Sequence, residues 1–192
     1  AKISGVPVRI VRAAFVAKQA YEVYMPTGYA LSIWKLLLEA GKNEGIRPFG
    51  TDTQRLLRLE MGHPLPGIDT DGLTNPFEMR AHQALEMDKP FFIGKRSLEI
   101  ISKKPLNKVL VPFVLAADYK GETPQDCNLV IESGVIKGRV TSISFSPSVG
   151  RIVGLAYVAP HQAELGSVFE IRTDNGKMAK ATVVQAPFLN AE

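Results

Sequence analysis

After Lys103-Lys104-Pro105 the chain becomes a succession of short apolar runs broken by turn residues, with no helical periodicity between them. Val109 to Leu115, Asn128 to Glu132, Gly134 to Ser144, Arg151 to Val158, Val168 to Arg172 and Lys177 to Gln185 each carry strand character. The breaks are Glu132-Ser133-Gly134, Pro147-Ser148-Val149-Gly150 and Asp174-Asn175-Gly176. The Asn-Gly pair in the last is a strong hairpin determinant, because both residues tolerate positive φ. Six short strands without an intervening helix predict a small antiparallel barrel, since closure removes the exposed edges that an open sheet would leave. The domain boundary is placed near residue 105, giving an α+β region over 1–105 and a barrel over 106–192.

The first hundred residues differ in kind. Ile3 to Phe15 is predicted as a strand, and Tyr21 to Met25 as a second one ended by Pro26-Thr27-Gly28. Thr27 is in position to cap the helix that follows. Tyr29 to Ala40 places Ala30, Ile33, Trp34, Leu37 and Leu38 at helical spacing, with Gly41 as a stop. Thr51 to Met61 repeats the pattern and stops at Gly62. Residues 63–76 are rich in Gly, Pro, Asp and Thr and predict an ordered loop. Short helical stretches are expected over Phe77 to Glu86 and Ser97 to Ser102. Strand, strand, helix, helix gives a compact α+β arrangement, partly ferredoxin-like, ahead of the barrel.

Composition limits the function classes. In 192 residues the formal charge is +4, and basic and acidic side chains are interleaved along the chain. That is a solvated surface, not a nucleic-acid footprint. No stretch approaches the roughly 20 apolar residues that cross a bilayer as a helix. Cys127 is the single cysteine, so no intrachain disulfide can form, and a reducing, cytoplasmic setting is expected. His63, His82 and His161 lie far apart in sequence and have no ligand spacing, so no metal is expected. The chain opens within a strand-like segment, Val6 to Val11, as expected of a cut through a longer chain.

Four stretches, in order, carry a family resemblance. Arg12-x-x-Phe15 leads through Tyr21-Glu22 to Pro26. Leu57-Arg58-Leu59-Glu60-Met61-Gly62 forms a helix end. Asp69-Thr70-Asp71 and Thr74-Asn75-Pro76 run on to Asp88-Lys89 and Phe92-Ile93-Gly94-Lys95. Gly138-Arg139-Val140-Thr141-Ser142 precedes Ser146-Pro147 and Ala156-Tyr157-Val158. Together they resemble the C-terminal half of the aminomethyltransferases: the glycine-cleavage T-protein and the folate domains of sarcosine oxidase α subunit and dimethylglycine dehydrogenase. The stretches Pro48-Phe49-Gly50-Thr51-Asp52 and Gly67 to Gly72 are more similar to the sarcosine-oxidase branch.

The resemblance implies a central folate-binding α+β region followed by a C-terminal barrel. It implies transfer of a one-carbon unit from a methylamine donor to tetrahydrofolate, or a demethylation of the same type. The glutamate matching Glu22 would hold the pterin ring, because a carboxylate can accept two parallel N–H bonds from an aminopyrimidine edge. Tyr21 would wall the pocket. Gln54 stands where the T-protein has an assisting arginine, and supplies an amide without charge. Arg58 completes the cofactor-binding set, although with Glu60 it also fits a structural or helix-surface ion pair. Thr141 and Ser142 are expected in a barrel turn, and Asp69 to Asp71 in a structural loop. No residue here matches the family's catalytic aspartate, so the expected partner is the remaining half of the fold or a flavoprotein subunit. The alternative is a non-catalytic subunit or assembly module that binds folate or such a partner. The family's Gly-Glu-x-Gly reads Ala17-Lys18-Gln19-Ala20 here, which removes two glycines and replaces an acid by a base.

Overall fold

A computed structural model describes residues 1–13, 16 and 19–188. They form two compact units, Ala1–Arg58 and Leu59–Glu192. The strand pattern begins after residue 105, and residues 59–105 group with the barrel in the second unit.

The second unit is built on a closed barrel. Its strands are β5 (Val109–Leu115), β6 (Leu129–Glu132), β7 (Val135–Ser146), β8 (Arg151–Val158), β9 (Val168–Arg172) and β10 (Met178–Val183). Their spatial order is β10-β5-β8-β7-β6-β9, closed by β9 on β10, and every pairing is antiparallel. The six strands expected from the turn spacing are all present. At the β9–β10 hairpin Thr173 N–H donates to Lys177 O at 2.9 Å, and Gly176 sits at φ +80°. Ser133 and Gly134 both take positive φ between β6 and β7, so that tight turn matches the twist of its strands.

Alternation sorts the side chains. Val111, Phe113, Leu115, Val130, Val140, Ala156, Val158, Phe169, Ile171 and Ala181 fill the barrel, with Phe113 and Phe169 edge-to-face at 5.5 Å between centroids. The opposite faces of β5 and β8 are buried as well. Leu110, Val114, Leu155 and Tyr157 lie under Leu59, Met79 and Phe188. Burial on both faces explains why β5 is an unbroken run, Val-Leu-Val-Pro-Phe-Val-Leu, and not an alternating one.

The first unit holds two ribbons and a helix. β1 (Lys2–Ile3) pairs with β2 (Val6–Pro7), and β3 (Arg9–Ala13) with β4 (Ala20–Tyr24), both antiparallel. The single strand expected over Ile3 to Phe15 is therefore broken at Ser4 and Gly5, both at positive φ. Phe15, Ala17 and Lys18 lie outside the described residues. Helix α1 spans Ala30–Ala40 and ends at Gly41. Thr27 does not cap it. Thr27–Tyr29 forms a 3-10 turn without a side-chain cap, and Ser32 Oγ donates back to Tyr29 O at 2.9 Å. Helix α2 is Thr51–Glu60, and α3 is Lys95–Ile101 in the second unit. The expected helix over Phe77 to Glu86 shrinks to a 3-10 turn at His82–Ala84, set in a run of turns.

Candidate functional site

Glu22 lies near the middle of β4. A strand points successive side chains to opposite faces, so Glu22 shares its face with Tyr24, and Tyr21 presents the other. The Tyr24 hydroxyl donates a short hydrogen bond to Glu22 Oε2. That bond, together with the Glu22 charge, raises the Tyr24 pKa above the ordinary 10.0. Across the ribbon Val11 stands opposite Glu22, and Arg9 opposite Tyr24. Both Glu22 and Tyr21 are exposed. Reasoning from the sequence missed Tyr24, although its i+2 spacing from Glu22 in a strand is the relevant pattern.

Gln54 and Arg58 sit one turn apart on one side of α2. Gln54 is exposed, and Arg58 is buried together with Glu60. The helix-surface reading of Arg58 and Glu60 does not hold. Glu60 Oε1 accepts from Ser146 Oγ at 2.6 Å, and the same Ser146 oxygen accepts from Val149 N–H at 3.0 Å. The end of α2 is thereby fastened to the last residue of β7.

A second polar cluster fastens the 63–76 loop to the barrel wall. Asp69 is fully buried. Its Oδ1 accepts from Thr141 Oγ1 at 2.5 Å and from Ser142 Oγ at 2.6 Å, and its Oδ2 from Leu65 N–H at 2.8 Å. Tyr157 OH donates to the Asp69 carbonyl at 2.9 Å, and burial pushes the Tyr157 pKa up. Thr141 and Ser142 are thus not turn residues. They lie inside β7, where the register shifts between Val140 and Ser142. Adjacent strand residues normally face opposite ways; the bulge's extra residue lets both hydroxyls reach one carboxylate oxygen. Asp71 holds the next turn. Its Oδ1 accepts from Thr74 Oγ1 at 2.8 Å and from the backbone N–H groups of Leu73 and Thr74, which keeps its pKa low.

These carboxylates are taken up by donors of the protein itself, so their chemistry is architectural. Among the described residues no group of three or more His, Cys, Asp or Glu is placed to hold a metal ion, and no helix is long and apolar enough to cross a membrane. In the second unit a cleft of about 430 Å³ opens between Met61, His63, Met79, Arg80 and Val184; none of Glu22, Tyr21, Gln54 and Arg58 lines it.

The profile of the GCVT N-terminal domain matches residues 1–89, and that of the glycine cleavage T-protein C-terminal barrel domain matches residues 108–190. The chain belongs to the aminomethyltransferase family. Among aminomethyltransferases, the protein of Halothermothrix orenii is 34% identical over 188 residues, covering 97% of this chain and 51% of its own length. Human mitochondrial dimethylglycine dehydrogenase is 31% identical over all 192 residues, which make up 22% of that protein. The crystal structure of the glycine cleavage system aminomethyltransferase T from Bartonella henselae superposes with a TM-score of 0.80 at 25% identity, over 95% of this chain and 50% of that one. The chain spans about half the length of the aminomethyltransferases it matches.

Proposed function

We propose that this chain is part of a tetrahydrofolate-dependent aminomethyltransferase that moves a one-carbon unit from a methylamine donor to tetrahydrofolate. The observation that carries the proposal is the ordered match of both family domains along the chain. Region 1–105 is assigned to folate and region 106–192 to the barrel that supports it.

Glu22 is assigned to the pterin. Its placement fits that group: Tyr24 fixes one carboxylate oxygen through a single hydrogen bond, and the exposed carboxylate keeps acceptor positions for the N–H groups of an aminopyrimidine edge. Tyr21, Gln54 and Arg58 remain candidate contacts. Tetrahydrofolate, when bound, supplies the nitrogens that accept the one-carbon unit. The contribution of this chain is to bind and orient the ring, and holding reactants in place is a large share of such catalysis. The group that stabilises developing positive charge is assigned to the other half of the fold, or to a flavoprotein partner that carries it.

Calorimetric titration of tetrahydrofolate into the chain and into Glu22→Ala tests the assignment. Binding that is lost in the variant is expected, and equal heats would remove Glu22 from the site. A non-catalytic folate-binding subunit is the second reading, favoured by the loss of both glycines where the family's Gly-Glu-x-Gly reads Ala17-Lys18-Gln19-Ala20. It predicts the same heats but no one-carbon transfer once the other half is supplied.

A further inference from the structure

A cleft of about 530 Å³ lies in the second unit, between the run of turns at 77–82 and the connector from β8 to β9. Phe77, Leu106, Val109 and Leu165 give it an apolar lining, and Arg80, His82 and Glu164 add polar groups. The backbone holds both walls. On one side Asn75 Oδ1 accepts from the N–H groups of Phe77 and Glu78, each at 3.0 Å, and Leu110 N–H donates to Glu78 O at 2.8 Å. On the other, Ala163 N–H donates to Pro160 O at 3.2 Å across the Pro160–Gln162 3-10 turn, and His161 Nε2 lies 2.7 Å from Glu132 Oε1.

Arg80 is the unusual residue. Its φ is +57°, a left-handed conformation that glycine adopts freely and a bulky side chain rarely does. Strained positions of this kind gather at ligand sites. The guanidinium reaches the opposite wall, where Nη2 donates to Ala163 O at 2.7 Å. That bond uses one of its five N–H donors. Among the described residues Arg80 has no carboxylate partner, and the Glu164 carboxylate has no donor, although both line the one cleft and both are exposed. Long side chains of opposite charge so placed would ordinarily pair; here the Ala163 carbonyl holds the guanidinium instead.

We propose that this cleft binds a free α-amino acid with a large apolar side chain. The ligand carboxylate meets the remaining N–H groups of Arg80, its ammonium meets Glu164, and its side chain lies on Phe77, Leu106 and Leu165. One cation and one anion in the same cleft select a zwitterion, because Glu164 repels a simple carboxylate and Arg80 repels a simple amine. The rings of Phe77 and His82, 5.6 Å apart and tilted by 57°, suit an aromatic side chain as a third ring. None of Glu22, Tyr21, Gln54 and Arg58 lines the cleft, so the site is separate from the one assigned to folate.

Backbone amide shifts of the isotope-labelled chain, titrated with L-phenylalanine, test the site. Hydrocinnamate and phenethylamine serve as companion probes that keep the ring but lack the ammonium or the carboxylate. L-Phenylalanine is expected to shift amides within 77–82 and 160–165, and each companion to bind about tenfold more weakly, the worth of one charge-assisted hydrogen bond. Glu164→Gln changes an exposed side chain without a partner, so it should leave the unfolding midpoint unchanged. It should weaken L-phenylalanine about tenfold and strengthen hydrocinnamate. Arg80→Gly, which suits the positive φ, should weaken L-phenylalanine and hydrocinnamate but not phenethylamine. Hydrocinnamate bound as tightly as L-phenylalanine would overturn the proposal. So would L-phenylalanine binding that Glu164→Gln leaves unchanged, or the absence of shifts in both segments at millimolar ligand.

Discussion

Replacing Asp69 by alanine should cost the second unit a large part of its stability. Three donors converge on the buried carboxylate at 2.5, 2.6 and 2.8 Å. Hydrogen bonds to charged groups contribute about 1.5–3 kcal/mol each, so simple addition gives roughly 4.5–9 kcal/mol. The sum overstates the loss. Thr141 Oγ1 already has Leu155 O within 3.2 Å as a second acceptor, the Ser142 hydroxyl can rotate, and the vacated space can admit water. Leu65 N–H has no such freedom and bears a full desolvation cost of about 1–3 kcal/mol. The expected loss is about 3–5 kcal/mol, in the range for removing one member of a buried charged network. Equilibrium urea unfolding followed by far-UV circular dichroism measures it. Thr141→Val in the Asp69→Ala background should cost much less than in the parent, because its principal partner has gone. A midpoint for Asp69→Ala within about 0.5 kcal/mol of the parent, the usual range for inert surface changes, would refute the view that this carboxylate holds the loop to the barrel.

Three further outcomes are expected. In Glu22→Gln the Tyr24 pKa should fall back toward 10.0, since both the bond and the charge that raise it are weakened. Ultraviolet titration against a Tyr24→Phe control reads the shift; the Glu22–Tyr24 contact is present below pH 10 and is lost as pH rises through the raised Tyr24 value, and an unchanged titration would dissociate the pair. Gly138→Ala should destabilise the barrel strongly, because a Cβ there would lie 1.8 Å from Tyr157 O on the paired strand; an unchanged thermal midpoint would contradict the close approach. Ser146→Ala should cost about 1–3 kcal/mol by leaving the buried Glu60 carboxylate short of a donor, and a urea midpoint equal to that of the parent would show that α2 is held otherwise.

The sequence alone determined the barrel. Its strands alternate or run apolar, its turns carry Gly where positive φ is needed, and these are local properties that residues such as Gly134 and Gly176 declare without their neighbours in space. It also marked Glu22, through its place in a resemblance spread over the whole chain. Which residues hold the parts together was decided only by tertiary structure. Thr141 and Ser142 look like turn residues because nothing in a linear string announces a bulge, yet the extra residue turns both hydroxyls onto Asp69, more than seventy positions away. Glu60 looks like a surface acid until β7 brings Ser146 beneath it. The apolar circumference of α1 was legible as a helix, but periodicity fixes only which residues share a face. What lies against that face depends on chain far away in sequence.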